Sequence, residues 1–173
     1  MLSINSGGQS GADLAGLLAA ERCGIKTGGW APKGYRTEKG KQFILKTRFG
    51  LKEHSDWRYD PRTRLNVEES DVTVILSPIS NSSGTKLTIG ACNNTQPKKP
   101  YLLISDVSNA ELCVEDIVNF LEQHKPNIIN IAGNRETVYP GLTRIGRDIL
   151  SQALEQYKTH LNKTKGSTDQ SGV

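Results

Sequence analysis

Ser6-Gly7-Gly8-Gln9-Ser10-Gly11-Ala12-Asp13 follows a short apolar strand, Leu2 to Ile4, and leads into an apolar helix, Leu14 to Cys23. Strand, glycine turn and helix start, in that order, predict an anion site. The first amides of a helix have no partner within it, and the helix dipole favours negative charge there. Glycines let the backbone approach a phosphate-sized group closely. The run is not GxGxxG and lacks the GK[ST] of a P-loop, so by itself it also fits a plain tight strand–helix connection.

Working outward, Gly24 is placed to stop the first helix, and Ile25 to Trp30 reads as a second short strand. Residues 31–58 hold Pro32, Gly34, Gly40 and Gly50 with no sustained period. So long an irregular stretch is expected to be functional or mobile. A short helix is predicted over Arg62 to Glu69. Asp71-Val-Thr-Val-Ile-Leu76 is a near-continuous apolar run, as in a parallel strand covered on both faces. Ser77 to Gly84 forms a second turn, with a helix from Thr85 to Asn93. Pro100 to Ile104 is another buried strand. Ser108 and Glu111 have capping-box spacing, and Val114, Ile117, Val118 and Leu121 fall on one helical face. Asn127 to Ala132 is a strand, followed by a third turn, Gly133-Asn134-Arg135-Glu136. Pro140-Gly141 opens a last helix with Leu142, Ile145, Ile149, Ala153 and Tyr157 in one stripe. The alternation predicts an α/β fold: a single Rossmann-like domain, residues 1–162, with a parallel sheet flanked by helices on both faces and a polar, flexible tail at 163–173. Ligands lie beyond the C-terminal ends of such strands, so the three turns are expected to converge on one rim.

Composition bounds the rest. The chain has 173 residues, 35% hydrophobic and 23% charged, as in a globular protein, and no run reaches the ~20 apolar residues that span a bilayer. No signal peptide is evident, and a cytoplasmic location is expected. Residues 33–64 carry ten Lys/Arg against four acids, a surplus of six in a chain whose net charge is +4. Such a stretch either attracts an anion or is a solvated loop. With no recognition motif beside it, it makes nucleic-acid binding a weak reading. Cys23, Cys92 and Cys113 have no metal-like spacing and read as buried free thiols. His54, His124 and His160 lie far apart, so no metal site is expected.

Five ordered blocks resemble the molybdenum cofactor carrier family. Ser6 to Asp13 is similar to that family's SGGQTGVD, and Gly28-Gly-Trp-Ala-Pro-Lys-Gly34 to its GGWCPKG. Tyr59, Arg62-Thr63, Asn66-Val67 and Ser70-Asp71 resemble its Y…RT..NV..SD. Gly84-Thr85 with Thr88 resembles GGT..T, and Asn130-Ile-Ala-Gly133, Arg135-Glu136 and Pro140-Gly141 resemble NVAGPRE…PG. The match spans roughly residues 3–150. It implies a Rossmann-like fold of the superfamily that includes the lonely-guy phosphoribohydrolases. It also implies a nucleotide-like or pterin-phosphate ligand, with molybdenum cofactor as the family's case, and assembly into dimers or tetramers. Leu14, Ala31, Ser83 and Gly90 depart from the pattern. In the lonely-guy enzymes a glutamate follows the second glycine turn; here Lys86, Leu87 and Thr88 stand there, with no acid before Gly90. Glycosidic cleavage needs a general acid or base, so no catalytic residue is assigned.

The ligand set is read as Ser6, Gly7, Gly8, Gln9, Ser10, Gly11, Asp13, Trp30, Lys33, Arg62, Asn66, Ser82, Ser83, Gly84, Thr85, Gly133, Arg135 and Glu136. Asp13 either meets a ribose hydroxyl or stabilises its helix end, and Trp30 either stacks on a ring or packs in the core. Lys33, Arg62 and Arg135 are candidates for phosphate or molybdate oxygens. Arg135 and Glu136 alternatively pair with each other. Asn66 caps a turn or reads a heterocycle edge. Three functions follow: a carrier-like binder of a phosphorylated small molecule, a sequestering protein for a cyclic or ADP-ribose-type nucleotide signal, and a nucleoside-monophosphate phosphoribohydrolase.

Overall fold

The computed structural model describes residues 1–168, with side chains through Lys163. The chain runs β1 (Ser3–Ser6), α1 (Ala12–Arg22), β2 (Lys26–Gly28), β3 (Trp30–Ala31), a 3-10 turn (Lys33–Tyr35), β4 (Arg36–Thr37), β5 (Gly40–Lys41), α2 (Ile44–Thr47) and β6 (Lys52–Glu53). It continues with α3 (Tyr59–Glu68), β7 (Val72–Leu76), α4 (Ser83–Asn94), β8 (Tyr101–Ile104), α5 (Ala110–His124), β9 (Ile128–Gly133) and α6 (Leu142–Thr168). Five parallel strands form the main sheet in the order β2-β1-β9-β7-β8. The α/β, Rossmann-like fold expected from the alternation is the one observed.

The order carries information that the alternation alone does not. Counted from β9, it is 3-2-1-4-5, the arrangement of a doubly wound mononucleotide fold. The central strand, first in that arrangement, is last in this chain. The sheet is therefore a Rossmann sheet whose first strand–helix unit, β9–α6, sits at the C-terminal end of the domain.

Every residue of β7 is buried, because helices cover both faces. Val72, Val74 and Leu76 join the core that α1, α5 and α6 build over the sheet with Ile4, Ile129 and Ile131. Thr73, one register step away, lies beside Cys92 of α4 on the opposite face, where α3 and α4 pack together. Helix α1 presents Ala15, Ala19 and Ala20 to this core. Its opposite side, Leu14, Leu17 and Leu18, packs with Ala31, Tyr35, Leu45, Phe49 and Leu51. Residues 31–58 are therefore built of short elements around a second apolar cluster. Each fully buried leucine there contributes roughly 1.5–3 kcal/mol.

One local expectation is corrected. The cap of α5 is Asn109, whose side chain accepts from Leu112 N. Ser108 instead has its amide bonded to Asp106 Oδ1, an Asx turn that takes Ser108 out of the cap position. Helix α6 runs through Thr168; the tail expected at 163–173 extends beyond the described residues, which end at 168. The three cysteines are buried and unpaired, as expected. Among the described residues, no helix is long and apolar enough to cross a membrane.

Candidate functional site

A cavity of about 380 Å³ opens at the C-terminal ends of β9 and β7. This is the topological switch point of a 3-2-1-4-5 sheet, where connections leave neighbouring strands in opposite directions and a crevice forms. All three Ser/Gly turns meet here. Of the expected ligand set, Gln9, Asp13, Arg62, Asn66, Ser82, Ser83, Gly84, Gly133 and Arg135 line the cavity. Ser6, Gly7, Gly8, Ser10, Gly11, Trp30, Lys33, Thr85 and Glu136 do not.

Asn134 holds the three turns together. Its carbonyl accepts from Ala12 N at the start of α1 (3.0 Å), and its own N–H donates to Leu76 O at the end of β7 (3.0 Å). Its side-chain Oδ1 accepts from Ile79 N (2.8 Å), and Nδ2 donates to Ile79 O and Ser82 Oγ. Sequence reading placed Asn134 in a turn but gave it no role. A turn residue between two candidates was the signal available.

The first turn is closed. Gly11 N donates to Thr143 Oγ1 and Gln9 N to Asp13 Oδ2, and Ala12 N and Leu14 N donate to Asn134 O and Gln9 O, so most of the amides at the start of α1 are taken from within the protein. Gly11 allows this fit: at φ +82°, a Cβ there would stand 2.3 Å from Asn134 O. Gly7 leaves room for Arg62, since a Cβ would meet its Nη1 at 1.3 Å. The start of α6 is closed too. Glu136 accepts from Gly141 N (2.6 Å), Thr143 N (2.9 Å) and Thr143 Oγ1 (2.6 Å). Burial pushes its carboxyl up, but these donors outweigh that and hold it below the usual range. Glu136 is a helix cap, and among the described ion pairs none joins it to Arg135.

The start of α4 is open. Ser82 caps it by accepting from Thr85 N (3.3 Å), and the Thr85 hydroxyl lies between Ser77 and Ser82. Ser83 and Gly84 are exposed on the cavity, and as the first two residues of the helix their amides have no carbonyl within it to bond. Nothing lies within 4 Å of a Cβ built on Gly84.

Two guanidinium groups line the same cavity. Arg62, on α3, pairs with Asp13 at 3.2 Å, both side chains under a tenth exposed. Burial pushes the Asp13 carboxyl up, while Arg62 pulls against that shift. Arg135 lies over the Tyr59 ring, 4.5 Å from its centroid. Asn66 clamps the Trp30 backbone through both ends of its amide, accepting from N (2.8 Å) and donating to O (3.0 Å), and so supports the wall that it lines. Tyr59, Thr63, Thr88 and Asn130 also line the cavity and were not assigned from sequence. Four of the ten basic residues in the stretch are engaged elsewhere: Arg48 with Glu21, Arg58 with Asp56, Arg36 over Trp57 and Lys52 over Trp30.

Sheet order and crevice together define a permuted Rossmann-like domain. The family whose profile matches residues 4–154 is the circularly permutated YpsA SLOG family, and this chain belongs to it. Its description agrees with the central strand arriving last. The chain is also similar to a solved structure from Syntrophus aciditrophicus SB of a protein provisionally designated a molybdenum carrier. The two are 34% identical with a TM-score of 0.76, over 89% of this chain and 95% of that one. No curated protein matches the chain.

Proposed function

We propose that this protein binds a phosphorylated small molecule of nucleotide or pterin type in the switch-point cavity and carries it without breaking bonds. The observation that supports this most is the open α4 N-terminus, Ser83-Gly84, on the same cavity as Arg135. Free helix amides and guanidinium groups are complementary to phosphate oxygens. The volume, about 380 Å³, lies within the usual range for small-ligand sites. The similar protein designated a molybdenum carrier makes molybdenum cofactor a ligand to test first. Self-association into dimers or tetramers belongs to the same reading.

Binding is favoured over glycosidic hydrolysis by where the carboxylates lie. Asp13 is tied to Arg62, Asp60 lines the cavity but is solvent-exposed, and α4 carries no acid from Ser83 to Asn94. Isothermal titration with nucleoside monophosphates, ADP-ribose and molybdopterin tests the reading, and native mass spectrometry reports bound mass and subunit count. Saturable binding of one phosphorylated ligand, recovered intact, is expected. No binding of any at high micromolar concentration overturns it.

A further inference from the structure

Two hydrogen-bond donors on the cavity wall are used by nothing in the protein. Gln9 is 3% exposed and Arg62 8%, both line the cavity, and Gln9 Nε2 and Arg62 Nε lack acceptors. A buried donor left unpaired is unfavourable, so two of them on side chains that line one cavity mark a place where acceptors belong. Several neighbouring donors are already engaged. The Asn66 amide is closed on Trp30, the Thr63 and Thr88 hydroxyls donate to Tyr59 O and Gly84 O, and Asn130 Nδ2 donates to Thr73.

The Gln9 amide has a defined orientation. Glu38 N donates to its Oε1 at 3.1 Å, and a backbone N–H can only donate, so the oxygen must be at that end and the NH₂ at the other. Glu38 is itself held by Ser10 and Thr137. Gln9 and Arg62 are neighbours, because Gln9 N and Arg62 Nη1 both donate to Asp13 Oδ2, each at 3.2 Å. Asp13 also offsets the charge of Arg62. This wall therefore offers donors next to a carboxylate, an arrangement that suits neutral acceptors and repels a second phosphate.

Resting on the phosphate-binding reading above, we propose that Gln9 Nε2 and Arg62 Nε recognise a paired-acceptor edge of the ligand's heterocycle. Such an edge has a ring nitrogen beside an exocyclic oxygen, as on an oxopurine or an oxopterin. The protein then selects oxo- over amino-heterocycles. Guanine presents N7 and O6 as adjacent acceptors, whereas adenine replaces O6 with an amino donor. That donor would confront the fixed NH₂ of Gln9.

The test is competitive titration of the intact protein with IMP, AMP, neopterin monophosphate and inorganic phosphate. IMP is expected to bind at least about tenfold more tightly than AMP. Gln9→Leu is expected to bring the two within about twofold, mainly by weakening IMP. Neopterin monophosphate is also expected to exceed AMP, and whichever oxo-ligand binds more tightly identifies the source of the edge. Phosphate binding with equal IMP and AMP affinities, or with AMP preferred, overturns this inference and leaves phosphate binding standing. No binding of any probe, phosphate included, overturns the phosphate reading itself. The IMP/AMP ratio is measured on the unaltered chain, so the test does not depend on how the variant folds.

Discussion

The turn after β1 and the turn after β7 are both Ser/Gly runs between a parallel strand and a helix, on the same rim of the same sheet. One is closed and the other open. Beside β1 stands β9, whose own turn folds over Gly11 and places Asn134 O against Ala12 N. Thr143 and Asp13 take further amides. The α4 turn lies across the switch point, where no neighbouring turn packs over Gly84. Similar local sequences thus have different chemistry because of what packs on them: the β9 turn covers the glycine at the start of α1, whereas it bonds the β7 turn at Ile79 and Ser82 and leaves Ser83 and Gly84 facing the cavity.

The comparison breaks most visibly at Asp13. If the first turn is a structural unit, Asp13→Ala leaves the Arg62 guanidinium buried without its partner, at a cost of about 3–5 kcal/mol. Denaturant unfolding measures it. Replacing both partners together, as Asp13→Leu with Arg62→Met, is expected to recover a large part of that loss. A loss below about 1 kcal/mol for Asp13→Ala would instead make the first turn a loosely held, ligand-facing loop. The two glycines sharpen the contrast. Gly11→Ala combines φ +82° with a Cβ 2.3 Å from Asn134 O and is expected to cost about 2–4 kcal/mol. Gly84→Ala meets open space, and its stability should change by no more than about 0.5 kcal/mol. Similar losses for both would remove the distinction between closed and open turns.

How much of this the sequence discloses follows from the range of each interaction. Strands such as Val72–Leu76 are legible because burial on both faces leaves an unbroken apolar run. Residues 31–58 are not, because their strands pair over only two residues and the apolar positions that matter, Tyr35, Leu45, Phe49 and Leu51, follow no period. They are spaced to reach α1. The three turns are legible as turns from their Ser, Asn and Gly content, and their convergence follows from the parallel sheet. Which turn is open is not legible. It depends on Asn134 and Thr143, more than 120 positions from the turn they fill, and on β9 entering between β1 and β7. Arg62 was assigned as a candidate for phosphate, but its partner Asp13 is 49 positions away, and without that pair its charge reads as free.

The smallest expected effect concerns the third turn, whose Glu136 was assigned to a ligand and caps α6 instead. A carboxylate at a helix N-terminus stabilises by about 0.3–1 kcal/mol, so Glu136→Gln should cost roughly that much at neutral pH. The pH dependence separates a cap from a ligand group. Hydrogen bonds from Thr143 and Gly141 hold the folded-state carboxyl below its ordinary value of 4.5. Its stabilising contribution is therefore fully present above that value and is lost as pH falls through the lower folded one. The gap between wild type and Glu136→Gln should stay constant from neutral pH down to that ordinary value and close below it. Asp13 responds in the opposite sense, since burial raises its folded-state pKa, but it is present in both proteins and cancels in their difference. Unfolding curves at several pH values, without ligand, give this difference directly. A gap that appears only when a phosphorylated ligand is added would return Glu136 to the binding site and leave the start of α6 as open as that of α4.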